Sequence, residues 1–120
     1  MTLQECYAAL EGDYAGVTGR LPSERMVQKF VLKFLNDGSY DLLIRSMEEE
    51  NYAEAFRAAH TIKGVCQNLD FTKLYASSHQ LSEALRSGFT PEAPALVEQV
   101  GADYRQTVEA IRAYQASLDA

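Results

Sequence analysis

Residues 51–69 read NYAEAFRAAHTIKGVCQNL, and the fold turns on this stretch, from Asn51 to Leu69. At about 100° per residue, Ala55, Ala59, Ile62, Cys66 and Leu69 gather on one side of a helix. Asn51 with Glu54 three residues on has the form of a capping box that would start it. His60 falls roughly opposite the apolar cluster and is expected to face outward. Lys63, Gly64 and Gln67 follow at i+3, i+4 and i+7, on the face of His60. One helix face thus sets an imidazole, an ammonium, bare backbone and an amide side by side.

The same periodicity runs outward in both directions. Towards the N-terminus, Leu3, Cys6 (or Tyr7), Leu10 and Tyr14 make a short first stripe. The stretch Gly12 to Gly19 holds three glycines and leads to Leu21-Pro22, so a loop is expected there. Ser23 has the chemistry of an N-cap for a helix with Val27, Phe30, Val31 and Phe34 on its inner face. Asn36-Asp37-Gly38 breaks that helix; the next carries Tyr40, Leu43, Ile44 and Met47 and ends in Glu48-Glu49-Glu50.

Beyond Leu69, Asp70 is expected to cap a helix with the stripe Leu74, Ser78, Leu81 and Leu85, stopped by Ser87-Gly88. Thr90-Pro91, a cap with proline at the first helical position, is expected to open the last helix, lined by Val97, Val100, Tyr104, Val108 and Ile111. Five or six helices with short connections predict an all-α fold. The expected architecture is an up-down antiparallel four-helix bundle with one or two additional N-terminal helices, one domain over residues 1–120.

Composition narrows the function. A chain of 120 residues, 47% hydrophobic and 23% charged, suits one globular domain burying roughly two-thirds of its surface. The formal net charge of -6 makes nucleic acid and anionic membranes poor partners. No apolar run approaches the roughly 18 residues of a membrane span, and no signal segment opens the chain. Cys6 and Cys66 both lie on apolar stripes, which suits buried thiols in a reducing compartment, and a cytoplasmic location is expected. With Cys66 on the core side and Cys6 far away, no metal site is expected around His60 or His79. The Gly12–Gly19 stretch lacks the Gly-Lys-[Ser/Thr] ending of a phosphate-binding loop, so no nucleotide site is expected either.

Gly64 is the informative residue. Glycine inside a helix costs about 1 kcal/mol relative to alanine, yet the stripe continues in phase through Cys66 to Leu69, so the helix does not end there. Tight helix–helix packing does not account for it, because the glycine is on the polar face. The remaining reason is that something bulky approaches the helix beside His60. A neutral imidazole is a competent nucleophile towards phosphorus near pH 7. Lys63 can offset the charge of a phosphoryl group held there, by a few kcal/mol at about 4 Å and a dielectric of ~20. Gln67 either donates a hydrogen bond, touches a partner, or is a plain surface residue. Arg57 either attracts an anionic partner or is simply solvated, and His79 lacks neighbours of this kind.

Ala59-His60-Thr61-Ile62-Lys63-Gly64, followed by Asn68-Leu69, resembles the signature of histidine-containing phosphotransfer (HPt) domains. The Asn36-Asp37 break, the acidic run, Ala53-Glu54-Ala55-Phe56 and the leucine-spaced helix after the motif extend the resemblance over most of residues 24 to 87. It implies a helical bundle that shuttles a phosphoryl group between aspartates of response-regulator receiver domains. By that resemblance His60 is phosphorylated, at Nε2, Lys63 stabilises the charge, and Gly64 admits the receiver. The family often has a second glycine ten residues after the histidine, where this chain has Asp70.

The resemblance implies a phosphotransfer intermediate, not a kinase. The chain needs no cofactor of its own, and Mg²⁺ and the aspartate are expected on the receiver. The expected partners are receiver domains and/or a sensor histidine kinase, met by a monomer. Phe56, one turn before His60, is either a docking anchor or a half-buried core residue. Two alternatives use the same face: a phosphotransfer domain serving a chemotaxis-type histidine kinase, and a bundle that binds a receiver without phosphate.

Overall fold

A computed structural model describes all residues, 1–120. The chain is entirely helical: α1 (Leu3–Leu10), α2 (Tyr14–Arg20), α3 (Glu24–Lys33), a single 3₁₀ turn (Phe34–Asn36), α4 (Ser39–Glu48), α5 (Tyr52–Leu69), α6 (Thr72–Leu85) and α7 (Ala93–Asp119). Short connections turn the chain back between α4, α5 and α6, and a longer one leads into α7. α5 packs most extensively on α6 and α4, and α7 covers α6 and α1. The result is the expected all-α up-down bundle of α4–α7, with α1 lying along α7 and α3 against one side of α5 and α7. No helix is long and apolar enough to cross a membrane.

The core joins the stripes read from the sequence. Ala55, Ala59, Ile62, Cys66 and Leu69 of α5 are buried, as are Leu74, Ser78, Leu81 and Leu85 of α6 and Val100, Val108 and Ile111 of α7. Phe71, fully buried between α5 and α6, meets Phe34 edge-on at 5.3 Å and Tyr7 at 5.7 Å. Tyr40 of α4 stacks on Tyr104 of α7 at 4.2 Å and closes the bundle through side chains. Burial of each such large apolar side chain contributes about 1.5–3 kcal/mol.

Five local expectations are corrected. Gly12–Gly19 is not a loop throughout, because residues 14–20 form α2 and three helices precede α4. Asp13 caps α2, accepting the Gly16 amide at 3.0 Å, and Val17 is buried beneath it. Two of the glycines there serve close approach instead of breaking a helix. A Cβ at Gly12 would sit 2.7 Å from the Asp70 carbonyl oxygen, and one at Gly16 would sit 2.5 Å from the Asp13 carboxylate.

Asp70 does not cap the following helix. It ends α5 in the left-handed region, at φ 55°, and α6 starts behind Phe71 without a side-chain cap. Thr90 does not open the last helix: its hydroxyl donates to the Ala84 carbonyl at 3.0 Å, and α7 starts at Ala93 with Pro94 in its first turn. Phe30, expected on the inner face of α3, is 38% exposed, while Val27 and Val31 are buried. The Asn51 cap is present, accepting the Glu54 amide at 3.2 Å, but the Glu54 carboxylate turns to Arg57 instead of closing the box.

Candidate functional site

The middle of α5 carries the site, and its register is held from both ends. At the N-terminus Asn51 caps the first turn. At the C-terminus the αL residue Asp70 closes the helix, and Arg20 from α2 donates to the Gln67 and Asn68 carbonyls at 2.9 Å each and to Asp70 Oδ2 at 2.6 Å. A cation on the last carbonyls satisfies orphan acceptors and suits the helix dipole. Tyr7 adds a buried hydrogen bond, its hydroxyl donating to the Leu69 carbonyl at 2.8 Å. Aspartate is one of the few L-residues that visit αL routinely, so the absent second glycine is replaced by Asp70 held by Arg20.

With the buried stripe fixing the helix's rotation, the four singled-out residues come together on one face. His60 and Gln67 are exposed, and Lys63 and Gly64 are partly exposed. The His60 ring stacks on Phe56, with centroids 5.9 Å apart and planes inclined at 25°. No hydrogen bond within the chain engages the imidazole. Lys63 forms no ion pair, which leaves its ammonium free for an incoming anion. A Cβ built on Gly64 would meet nothing within 4 Å. Open space over this glycine removes tight packing as its reason and matches the approach of a bulky group.

α6 supplies the flank that the sequence did not single out. Arg86 lies over the Phe56 ring, 5.5 Å from its centroid, and pairs with Glu83 at 2.6 Å. Arg86, through that hydrogen bond, holds the Glu83 carboxyl below its ordinary range, with smaller contributions from His79 and Lys63. Phe56 is therefore half-buried and reaches both His60 and Arg86. Glu83 and Arg86 are an i,i+3 pair that periodicity alone reads as solvated surface; their link to His60 appears only once α6 is laid against α5.

No ion pair or ring contact joins Arg57, His79 or Cys66 to the His60–Phe56 stack. Arg57 is exposed and paired with Glu54. His79 is half-buried, stacked parallel to Tyr75 at 6.0 Å, with Nδ1 buried and unpartnered. Cys66 is on the core side, its thiol pushed up in pKa by burial and secondarily by Asp37, which makes it a poor ligand or nucleophile. An exposed, unbonded imidazole next to a free ammonium and a patch of bare backbone can take and release a small anionic group without moving the core.

The family model for the Hpt domain matches residues 25–114, which takes in α3 to α7 apart from their outermost residues and the whole of the site face. No curated protein and no solved structure matches the chain. Residues 1–24, with α1 and α2, lie outside the match, although Arg20 grips the end of α5.

Proposed function

The chain belongs to the Hpt domain family, and from that membership we propose that it takes a phosphoryl group from a receiver-domain aspartate onto His60 and passes it to a second receiver. Hpt domains are histidine phosphotransfer modules of phosphorelays, working with receiver domains and histidine kinases and without kinase activity of their own. The observation that carries the assignment to His60 is Gly64. A mid-helix glycine with empty space above it, one turn from an exposed imidazole and beside an unpaired lysine, is explained by a docked partner and by no contact within the chain.

In the proposed step the lone pair of neutral His60 attacks phosphorus in line, through Nε2. The N–P bond forms as the acyl-phosphate P–O bond breaks, and the electron pair leaves with the aspartate carboxylate. Attack leaves the ring positively charged with its single proton on Nδ1, and that proton passes to solvent, to which the ring is exposed. Lys63 balances charge on the bound phosphoryl group, and positioning with electrostatics accounts for most of the acceleration, as in other phosphoryl transfers. Mg²⁺ belongs to the receiver in this reading. Gln67, exposed one turn beyond Lys63, lies within the area a receiver would cover.

The test is chemical. After incubation with a phosphorylated receiver domain, the chain should carry one acid-labile, base-stable phosphoryl group that peptide mapping places on His60. Phosphate found elsewhere, or stable to acid, would contradict the assignment.

A further inference from the structure

The outer face of α3 has a composition unlike the rest of this acidic chain. Residues 20–33 hold four of its eleven Lys and Arg residues and one acid, Glu24. Arg25, Lys29 and Lys33 recur at i+4 along α3 and form no ion pair, and like charges at that spacing destabilise a free helix. Beside them Met26 and Phe30, also four apart, are each 38% exposed. Two bare apolar side chains next to three uncompensated cations form a surface without a partner in the chain.

This face is continuous with the site. Phe30 and Lys33 line one groove of about 560 Å³ together with Val65 and Asn68 of α5, which flank Gly64 and Gln67 in sequence. Asp37 at its rim accepts the Ser39 amide at 2.8 Å, and the cations Arg20 and Lys33 line the same groove. α6 borders the His60 face on one side through Glu83 and Arg86, and α3 borders it on the other.

We propose that this cationic and apolar face of α3 is a second part of the receiver's docking site and sets how fast, and which, receivers reach His60. The inference rests on the phosphotransfer reading. A receiver that holds Mg²⁺ beside its aspartate must surround it with carboxylates, so its active face is acidic. A cationic row steers that face onto the site, while Phe30 and Met26 lend the apolar contact that holds it. The chain is net acidic, at -6 even with the row included, so its surface away from the row would repel an acidic receiver.

The experiment compares wild type, the double variant Lys29→Glu/Lys33→Glu, and Phe30→Ala. Each is given a phosphorylated receiver domain at several ionic strengths and, separately, phosphoramidate, a small donor that needs no docking. All three chains should accept phosphate from phosphoramidate at equal rates. From the receiver, wild-type kcat/KM should fall with salt, and the double variant should lose about tenfold at low salt with a flattened slope. Phe30→Ala should lose about tenfold in kcat/KM at all salt concentrations. Lys29 and Lys33 are exposed, so the circular dichroism melt of the double variant should match wild type. Phe30→Ala, at a residue 38% exposed, should remain folded at the assay temperature. Unchanged receiver kinetics in both variants would overturn the proposal while leaving the phosphotransfer reading intact. A wild-type dimer in sedimentation, broken by Phe30→Ala without effect on transfer, would assign the face to a second copy and overturn it too. Failure of wild type with both phosphoramidate and receivers would remove the phosphotransfer reading itself.

Discussion

Replacing Gly64 with alanine should make the protein more stable and less active. A Cβ at this position meets nothing within 4 Å, so the methyl group adds no clash and needs no neighbour to shift. Gly64 lies inside α5, where glycine costs about 1 kcal/mol relative to alanine. For a domain of this size the gain corresponds to a rise of about 4 °C in thermal midpoint. The same methyl group stands on the surface that a receiver must approach, one turn from His60. Transfer from a phosphorylated receiver should therefore slow for Gly64→Ala and slow further for Gly64→Leu, while phosphoramidate should still phosphorylate both. Melting by circular dichroism and transfer kinetics read the two halves independently. A lowered midpoint would show that the glycine serves the fold, and undiminished transfer by Gly64→Leu would show that nothing docks there.

Lys63→Ala should reduce the transfer rate by about tenfold, less than a full ~4 kcal/mol charge interaction at ~4 Å because solvent screens a partly exposed ammonium; an unchanged rate would refute its role. At the end of α5, Asp70→Gly should stay within about 1 kcal/mol of wild type in urea unfolding, since relief of the αL conformation offsets loss of the Arg20 contact. Asp70→Val should cost about 2 kcal/mol through strain at φ 55°, and equal costs would contradict the αL account. Burial pushes the Cys6 thiol up to about 11 and the Cys66 thiol higher still. Their folded pKa values are raised, so their contribution is complete below the unfolded-thiol pKa near 9 and is lost as pH rises through the folded values. Stability should be flat from about pH 6 to 8 and fall by on the order of 1–2 kcal/mol per unit above about pH 9, with a shallower fall in Cys6→Ala/Cys66→Ala; an identical slope would count against the thiols.

What was legible in the sequence follows from how local its causes are. The stripe from Ala55 to Leu69 repeats over several turns, so periodicity placed α5 and the outward face of His60 correctly. Gly64 stood out because a helix-interior glycine contradicts its surroundings. α2 was missed because Gly12 and Gly16 look like breakers, and the reason for Gly12 is the Asp70 carbonyl, 58 positions along the chain. Phe30 has the right phase for the core, yet α3 presents only Val27 and Val31 to it, and the tilt that leaves Phe30 bare depends on the helices beneath. Arg20 and Arg86 join the site through tertiary contacts with α5 that no spacing rule encodes, and Glu83 comes with Arg86.

The most direct test of the central claim follows phosphate from a labelled receiver domain to wild type, His60→Gln and His79→Gln. His60 is exposed and unbonded, whereas His79 is half-buried on α6, so either substitution should leave the helical spectrum intact. Label should pass to wild type and to His79→Gln, be lost in acid, and be absent from folded His60→Gln. Label retained by His60→Gln, or lost from His79→Gln while it stays folded, would contradict His60 as the phosphoryl carrier.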